Sequence, residues 1–256
     1  MQAKGIRLIV SADDVGVRPS VNEATFTLLE SGAISSASLM ANGPAFEQAA
    51  SQIKNSRHRS IGAHLNCTSY EPLCTNRAIR PLLGEDGEFH ASLFRQVSPT
   101  PALLLGLLEE FSLQIRRIEQ SGISISHIDS HHHVHTKPAL FPVLKCLQYR
   151  HRIRRARIAW NIFVDNERSS PKQLFKKRTY NHFLRTIYAT KSVDYFGSFA
   201  DFLRDERIPA KSCVVEAMVH LGSEPPSLYH DEENLLKTNW QESYPVPIEM
   251  IGYHQL

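Results

Sequence analysis

HIDSHHHVH, residues 127–135, places five histidines and one aspartate at the junction of two predicted elements. The alternating run Gly122-Ile123-Ser124-Ile125-Ser126 before it has the period of two that is typical of a strand. Lys137-Pro138 and the apolar run 139–147 after it indicate that a helix begins there. Active sites of parallel α/β proteins gather at the carboxyl ends of strands. Because neutral imidazole is a common ligand of divalent metals, we expect these histidines to supply a catalytic metal site.

The same strand-then-helix pattern recurs along the chain. The other predicted strands are Arg7–Ala12, Ile34–Met40, Ser60–Leu65, Ala156–Ile162, Ser192–Phe196, Ser212–Val219 and Ile248–Tyr253. Predicted helices between them include Pro101–Gln120 and the basic stretch Lys172–Ala189. Seven or eight such units in a chain of 256 residues favour a parallel βα barrel over an open sheet. We find no linker or internal repeat, so we expect a single domain covering residues 1–256.

One long irregular stretch interrupts the pattern, at about residues 68–99. It contains Glu85-Asp86-Gly87, which is typical of a hairpin turn. Long excursions inside compact domains usually have a function, often as a lid or a substrate-facing loop. We therefore expect this excursion to face the substrate.

Composition excludes several classes of protein. There is no run of 18 apolar residues, which argues against a transmembrane helix. The amino terminus turns polar too early for a signal peptide, and the four cysteines form no close pair. We expect a cytoplasmic protein, either free or attached to the membrane surface. The sequence leaves the oligomeric state open, with a homodimer among the alternatives.

The net charge of +3 is unevenly distributed. Residues 145–191 contain thirteen Lys or Arg against two acids, Asp165 and Glu167. One interpretation is a solvated basic helical face, and the other is attraction to an anionic partner such as a phosphate-bearing substrate or a membrane. Because the segment lacks a recognised nucleic-acid-binding motif, we do not expect a nucleic-acid partner.

Polar side chains stand at the carboxyl ends of four predicted strands, and a barrel brings these ends to one rim. They are Asp13-Asp14, His64, His131 and His220. One aspartate and two histidines would leave coordination positions open, as catalytic metal sites do. We expect His133 and His135 to line the pocket, and His127 and Asp129 to orient the ligands. The alternatives are a capping aspartate, core histidines, or a surface histidine tract that binds metal adventitiously.

Four segments carry a family resemblance. They are Ala12-Asp13-Asp14-Val15-Gly16 with Val21-Asn22, residues 36–46 (SASLMANGPAF), Ile61-Gly62-Ala63-His64-Leu65-Asn66, and residues 127–135. In these segments the chain resembles the YdjC/ChbG-type carbohydrate deacetylases, which are related to the NodB-type polysaccharide deacetylases. The resemblance runs from about Leu8 to Tyr253.

The resemblance implies a deformed TIM-like (β/α) barrel that removes N-acetyl groups from amino sugars by attack of metal-bound water. It implies one divalent ion, most often Mg²⁺ or Zn²⁺, on Asp14, His64 and His131. Asp13 would be the general base and His220 the general acid. Arg157 would orient Asp13 or contact the substrate. The chain departs from the family where Leu221 stands in place of a proline after His220.

The implied partner is an N-acetylated sugar or oligosaccharide, and the basic segment adds an anionic or lipid-linked sugar to the alternatives. Two other functions stay open from the sequence. One is a different metallo-amidohydrolase or phosphoesterase, which would commonly hold a second metal. The other is a barrel that binds a glycan without catalysis.

Overall fold

A curled sheet of seven parallel strands forms the inner layer of the structure, a computed structural model that describes residues 5–162, 170–204, 208, 213–222 and 228–256. The strands are β1 (Ile6–Val15), β2 (Ser36–Leu39), β3 (Ile61–Leu65), β4 (His127–Ser130), β5 (Tyr195–Ser198), β6 (Val214–Val219) and β7 (Ile248–Met250). Their order is β4-β3-β2-β1-β6-β5, and β7 pairs with β1. The predicted start of β6 at Ser212 lies outside the described residues.

Helices cover the outside of this sheet, and their positions follow the predicted alternation. They are α1 (Pro19–Glu30), α2 (Phe46–Asn55), α3 (Ala91–Gln96), α4 (Pro101–Gln120), α5 (Phe141–His151), α6 (Pro171–Thr186), α7 (Phe199–Arg204) and α8 (Leu228–Leu236). Prolines at the first turn begin α1, α4 and α6, where the missing N–H costs nothing. Within the described ranges, no helix has the length and apolarity needed to cross a lipid bilayer.

An irregular segment closes the gap between β4 and β5. Ala156 bridges Ile128, and Arg155 bridges Lys191. Further along, Asn161 N donates to Phe196 O at 3.0 Å, while the Asn161 side chain accepts from Phe196 N. The prediction of a regular strand at Ala156–Ile162 is therefore wrong, because the segment switches partners and uses a side chain in place of a ladder bond. The prediction of a deformed TIM-like barrel is confirmed.

The strands are buried along nearly their whole length because helices pack on the outer face and side chains fill the interior. Ile9, Val10 and Val215 have no exposed surface. Toward the carboxyl ends the buried side chains become polar, as with Asp13 on β1 and Asp129 on β4. This polar end is the rim at which the predicted site residues should meet.

The excursion at residues 68–99 is anchored to the barrel. It contains a 3₁₀ helix, Arg77–Leu82, and an antiparallel bridge between Leu83 and Phe89. The buried carboxylate of Glu110 on α4 accepts from the backbone N–H groups of Leu73 and Cys74. These bonds hold the start of the excursion against α4.

Candidate metal centre

Three side chains from separate strands converge at the rim. Asp14 Oδ1 lies 3.2 Å from His64 Nε2 and 2.8 Å from His131 Nδ1. One ligand atom from each residue lies within 4.8 Å of the others. The side chains of Asp14 and His131 are 21% and 17% exposed, so the cluster opens to solvent on one side. The structure therefore brings together the three residues predicted as metal ligands.

A bulge at the end of β1 places the two adjacent aspartates. The register of β1 against β2 shifts between Ala12 and Val15, and Asp14 has a φ of +62°. Aspartate tolerates this left-handed conformation better than most residues. On a regular strand Asp13 and Asp14 would point to opposite sides. In the bulge both aspartates lie near His64. Asp14 belongs to the cluster with His64 and His131, and Asp13 belongs to a second cluster with His64 and Asp129.

Asp129 fixes the orientation of the His64 ring. Its Oδ1 lies 2.9 Å from His64 Nδ1, and its Oδ2 accepts from Ser38 Oγ at 2.8 Å. Burial disfavours a charge on His64, but Asp129 and Asp14 outweigh it and raise the pKa of His64 to about 10. Burial likewise opposes the charge on Asp14, yet hydrogen bonds from His131 and His64 hold the pKa of Asp14 well below its usual range. The cluster therefore favours a positive charge beside Asp14 Oδ1.

Arg157 connects the buried carboxylates of the rim. Its guanidinium has no exposed surface and binds Asp13 through two bonds of 2.7 Å. It also reaches Asp129 Oδ2 at 2.7 Å and Glu216 Oε1 at 2.8 Å. Burial works against its charge, but the three carboxylates raise the pKa of Arg157 well above its ordinary value. Because Arg157 is completely buried, its geometry fits orientation of Asp13 and not contact with substrate.

His220 faces the same rim from the other side. Its Nε2 lies 3.8 Å from Asp14 Oδ2, and its side chain is 28% exposed. The following Leu221 is buried in the core, and Gly222 N donates to Glu233 Oε2. Gly222 has a φ of +66° and leaves no room for a side chain, since an added Cβ would lie 2.7 Å from the backbone of Ser20. At the position where the family has a proline, the rim is held by the burial of Leu221 and by the close approach of Gly222 to Ser20.

The remaining histidines of residues 127–135 occupy different environments. His127 is buried and stacks on Tyr253 at 3.6 Å between ring centroids. His135 is also buried, and its Nε2 lies 3.2 Å from the carbonyl oxygen of Arg157, so it supports that backbone and does not line the pocket. His133 packs edge-on against Trp160, and its Nδ1 has no hydrogen-bond partner among the described residues. His133 alone of these three is partly exposed.

Two functional residues were missed from the sequence. Glu216 lies within the predicted strand Ser212–Val219, where a carboxylate inside an otherwise apolar strand signals a paired charge. It bridges Arg157 and Tyr253, and burial raises the pKa of Glu216 to about 7. Tyr70, in the excursion, was not singled out. Burial, followed by the charge of the Asp14 carboxylate, raises the pKa of Tyr70.

The donor set fits a divalent ion. A carboxylate oxygen and two imidazole nitrogens are ligands that Zn²⁺ favours and that Mg²⁺, Mn²⁺ and Co²⁺ tolerate. The bond between Asp129 and His64 Nδ1 leaves His64 Nε2 directed at Asp14, which is the arrangement of a histidine oriented by a carboxylate behind it. At the second cluster, Arg157 already supplies the cation between Asp13 and Asp129.

Known proteins share both this sequence pattern and this fold. The sequence model of a family described as YdjC-like protein matches residues 7–246. The chain belongs to the YdjC-like protein family. The resemblance drawn from the residues is thereby confirmed.

Individual relatives cover different shares of the chain. A carbohydrate deacetylase of Geobacillus stearothermophilus is 37% identical over 146 residues, which are 57% of this chain and 57% of that protein. One from Brevibacillus brevis is 29% identical over 215 residues, 84% of this chain and 81% of that protein. A crystal structure from Enterococcus faecalis, named as a candidate cellobiose-phosphate cleavage protein, has a TM-score of 0.74 at 22% identity and covers 98% of both chains. At that identity the likeness establishes the fold alone.

Proposed function

We propose that this chain is a metal-dependent hydrolase that removes an N-acetyl group from an amino sugar or oligosaccharide. It would act as one domain of residues 1–256, with the excursion at 68–99 facing the substrate. The observation that carries the proposal is the partly open cluster of Asp14, His64 and His131, which has a buried carboxylate on one side and His220 on the other. Relatives named carbohydrate deacetylases support the choice of reaction.

Asp14, His64 and His131 would hold the ion. A divalent ion bound there polarises the acetamide carbonyl and lowers the pKa of water. The chain itself supplies orientation, because Asp129 fixes the His64 ring and Ser38 in turn fixes Asp129. These supports matter because small errors in ligand geometry cost catalysis heavily.

Asp13 is the proposed general base. It lies beside His64, and Arg157 holds both of its oxygens, so its carboxylate has one orientation. A base that is already in place loses no further entropy when it accepts the proton. Arg157 is a positioning residue in this scheme.

His220 is the proposed general acid. Its Nε2 lies 3.8 Å from Asp14 Oδ2, and its side chain is 28% exposed, whereas Asp13 and Asp129 are buried. An acid and a base on different sides of the scissile amide can act on the leaving amine and on the attacking water respectively.

The test is an acetate-release screen over N-acetylated mono- and oligosaccharides, with Zn²⁺, Mg²⁺, Mn²⁺ or Co²⁺ added to the metal-free protein. Asp14→Ala and His131→Ala should abolish both metal binding and acetate release. Asp13→Asn should retain the metal while the rate falls by roughly 10²–10⁴-fold. Glu47→Gln and Arg117→Gln, an exposed ion pair on α2 and α4, are the controls and should change neither property.

Three results would overturn the proposal. Full activity of Asp13→Asn would make the mechanism wrong. Two metals per chain would favour another metallohydrolase. This result would also contradict the pairing of Arg157 with Asp13 and Asp129, which fills the second cluster with a cation. Stoichiometric metal without turnover of any acetylated glycan would favour a binding protein.

A further inference from the structure

Helix α6 carries a stripe of exposed apolar side chains. Phe175, Phe183 and Ile187 are 71%, 50% and 44% exposed. Together with Thr179 they recur every four residues, so they follow one face of the helix. Single exposed apolar residues are ordinary, but a contiguous set marks an interaction surface.

This stripe borders a groove of about 440 Å³ between α6 and the start of α5. The apolar residues that line the groove are Pro138, Phe141, Phe175, Tyr180, Phe183 and Ile187. The groove lies directly behind the histidine loop, because the Tyr180 hydroxyl donates to the carbonyl oxygen of His135. A partner that occupied it would therefore lie close to the candidate metal centre.

Basic residues flank the stripe. Lys172, Lys176 and Arg178 are exposed, and no Asp or Glu occurs between residues 168 and 194. Other basic residues of the segment bind within the protein. Lys145 donates to the carbonyl oxygens of Leu184 and Ile187 at the end of α6. Three exposed basic residues, Lys172, Lys176 and Arg178, therefore lie on the same helix as the exposed phenylalanines.

We propose that this face of α6 docks on an anionic lipid bilayer, with the phenylalanines entering the headgroup region and the lysines contacting anionic headgroups. Aromatic residues beside Lys and Arg on one helix face are the pattern of interfacial helices. A second copy of this chain fits less well. A two-fold interface would place the same patch against itself, and this segment offers basic residues but no Asp or Glu to pair with them. The inference does not depend on the proposed catalytic chemistry.

The test is co-sedimentation of the full chain with phosphatidylcholine vesicles, with and without phosphatidylglycerol. We expect binding only to the anionic vesicles and its loss at high salt. Phe175→Ser/Phe183→Ser should abolish binding, and Lys172→Glu/Lys176→Glu should weaken it about tenfold or more. Leu105→Ser and Lys54→Glu alter exposed positions on other helices and should bind as the unmodified chain does. Circular dichroism should show all variants folded.

Equal binding to both kinds of vesicle would overturn the charge argument. Undiminished binding of Phe175→Ser/Phe183→Ser would overturn the assignment of the face. Absence of lipid binding, together with a dimer that the phenylalanine variant converts to monomer, would show that a second copy is the occupant instead.

Discussion

Glu110→Gln tests whether a buried carboxylate fixes the excursion at residues 68–99. Glu110 has no exposed surface and accepts from Leu73 N, Cys74 N and Gln114 Nε2 at 2.7–3.1 Å. Glutamine keeps one oxygen, so its amide NH₂ must face one of these donors. Gln114 cannot resolve the conflict by flipping, because its own oxygen and nitrogen already bind the N–H and the carbonyl of Asn66. One buried donor is therefore left without an acceptor.

The expected loss of stability follows from these contacts. An unsatisfied buried donor costs about 1–3 kcal/mol, and each remaining bond loses about 1 kcal/mol when its acceptor becomes neutral. Burying an amide in place of a charge offsets part of this. We expect a net loss of about 2–4 kcal/mol, measured by urea unfolding, which corresponds to a fall in Tm of roughly 5–15 °C.

Glu109→Gln is the matched control for this prediction. Glu109 is adjacent, exposed, and bonded to the Asn76 side chain at the surface, so its change should stay within about 0.5 kcal/mol. Because the proposed function has this excursion face the substrate, Glu110→Gln should also raise the KM for an N-acetylated sugar. Equal stability of Glu110→Gln and Glu109→Gln would refute the anchoring role.

Two further predictions concern packing and pH. Gly62→Ala should cost about 1–3 kcal/mol, because an added Cβ would lie 2.5 Å from the His127 ring. In a double-mutant cycle with His127→Ala, the double variant should lose less stability than the sum of the two single losses. Strict additivity would exclude this contact as the cause. Burial raises the pKa of Glu232 from 4.5 to about 7, so between these values the folded state binds more protons than the unfolded state. Stability should therefore fall as pH rises through this window, and Glu232→Gln should be more stable than the unmodified chain at pH 8 but not at pH 4.5. A variant that is less stable at pH 8, by thermal unfolding, would contradict this assignment.

Arg157 illustrates how the site combines binding and stability. One guanidinium pairs with Asp13, Asp129 and Glu216, so it holds the proposed base and the support of His64 at the same time. Removing it would leave three buried carboxylates without their cation, which is among the most destabilising changes a core can suffer. Effects of Arg157 variants on activity should for this reason be interpreted only alongside their stability.

Local sequence determined the elements and the chemistry that each one could bring. Strand periodicity, first-turn prolines and the acidic and histidine residues at strand ends depend on neighbours in the chain, so they can be read without a fold. They were sufficient to predict a parallel βα barrel with Asp13-Asp14, His64, His131 and His220 at one rim. The family resemblance implied the ligand set Asp14, His64 and His131, and the structure brings these three together. Their proposed catalytic roles remain predictions.

Only the tertiary structure decided that His127 and His135 are buried away from the site. His127 and His135 are buried by Tyr253 and by the Arg157 backbone, which are distant in sequence. The bulge that turns both Asp13 and Asp14 toward His64 also arises from pairing between strands. Long-range contacts of this kind leave no periodic signal in the chain, because each depends on which elements become neighbours and in what register. The stretch HIDSHHHVH thus identified the rim and His131, while the packing of distant segments buried His127 and His135.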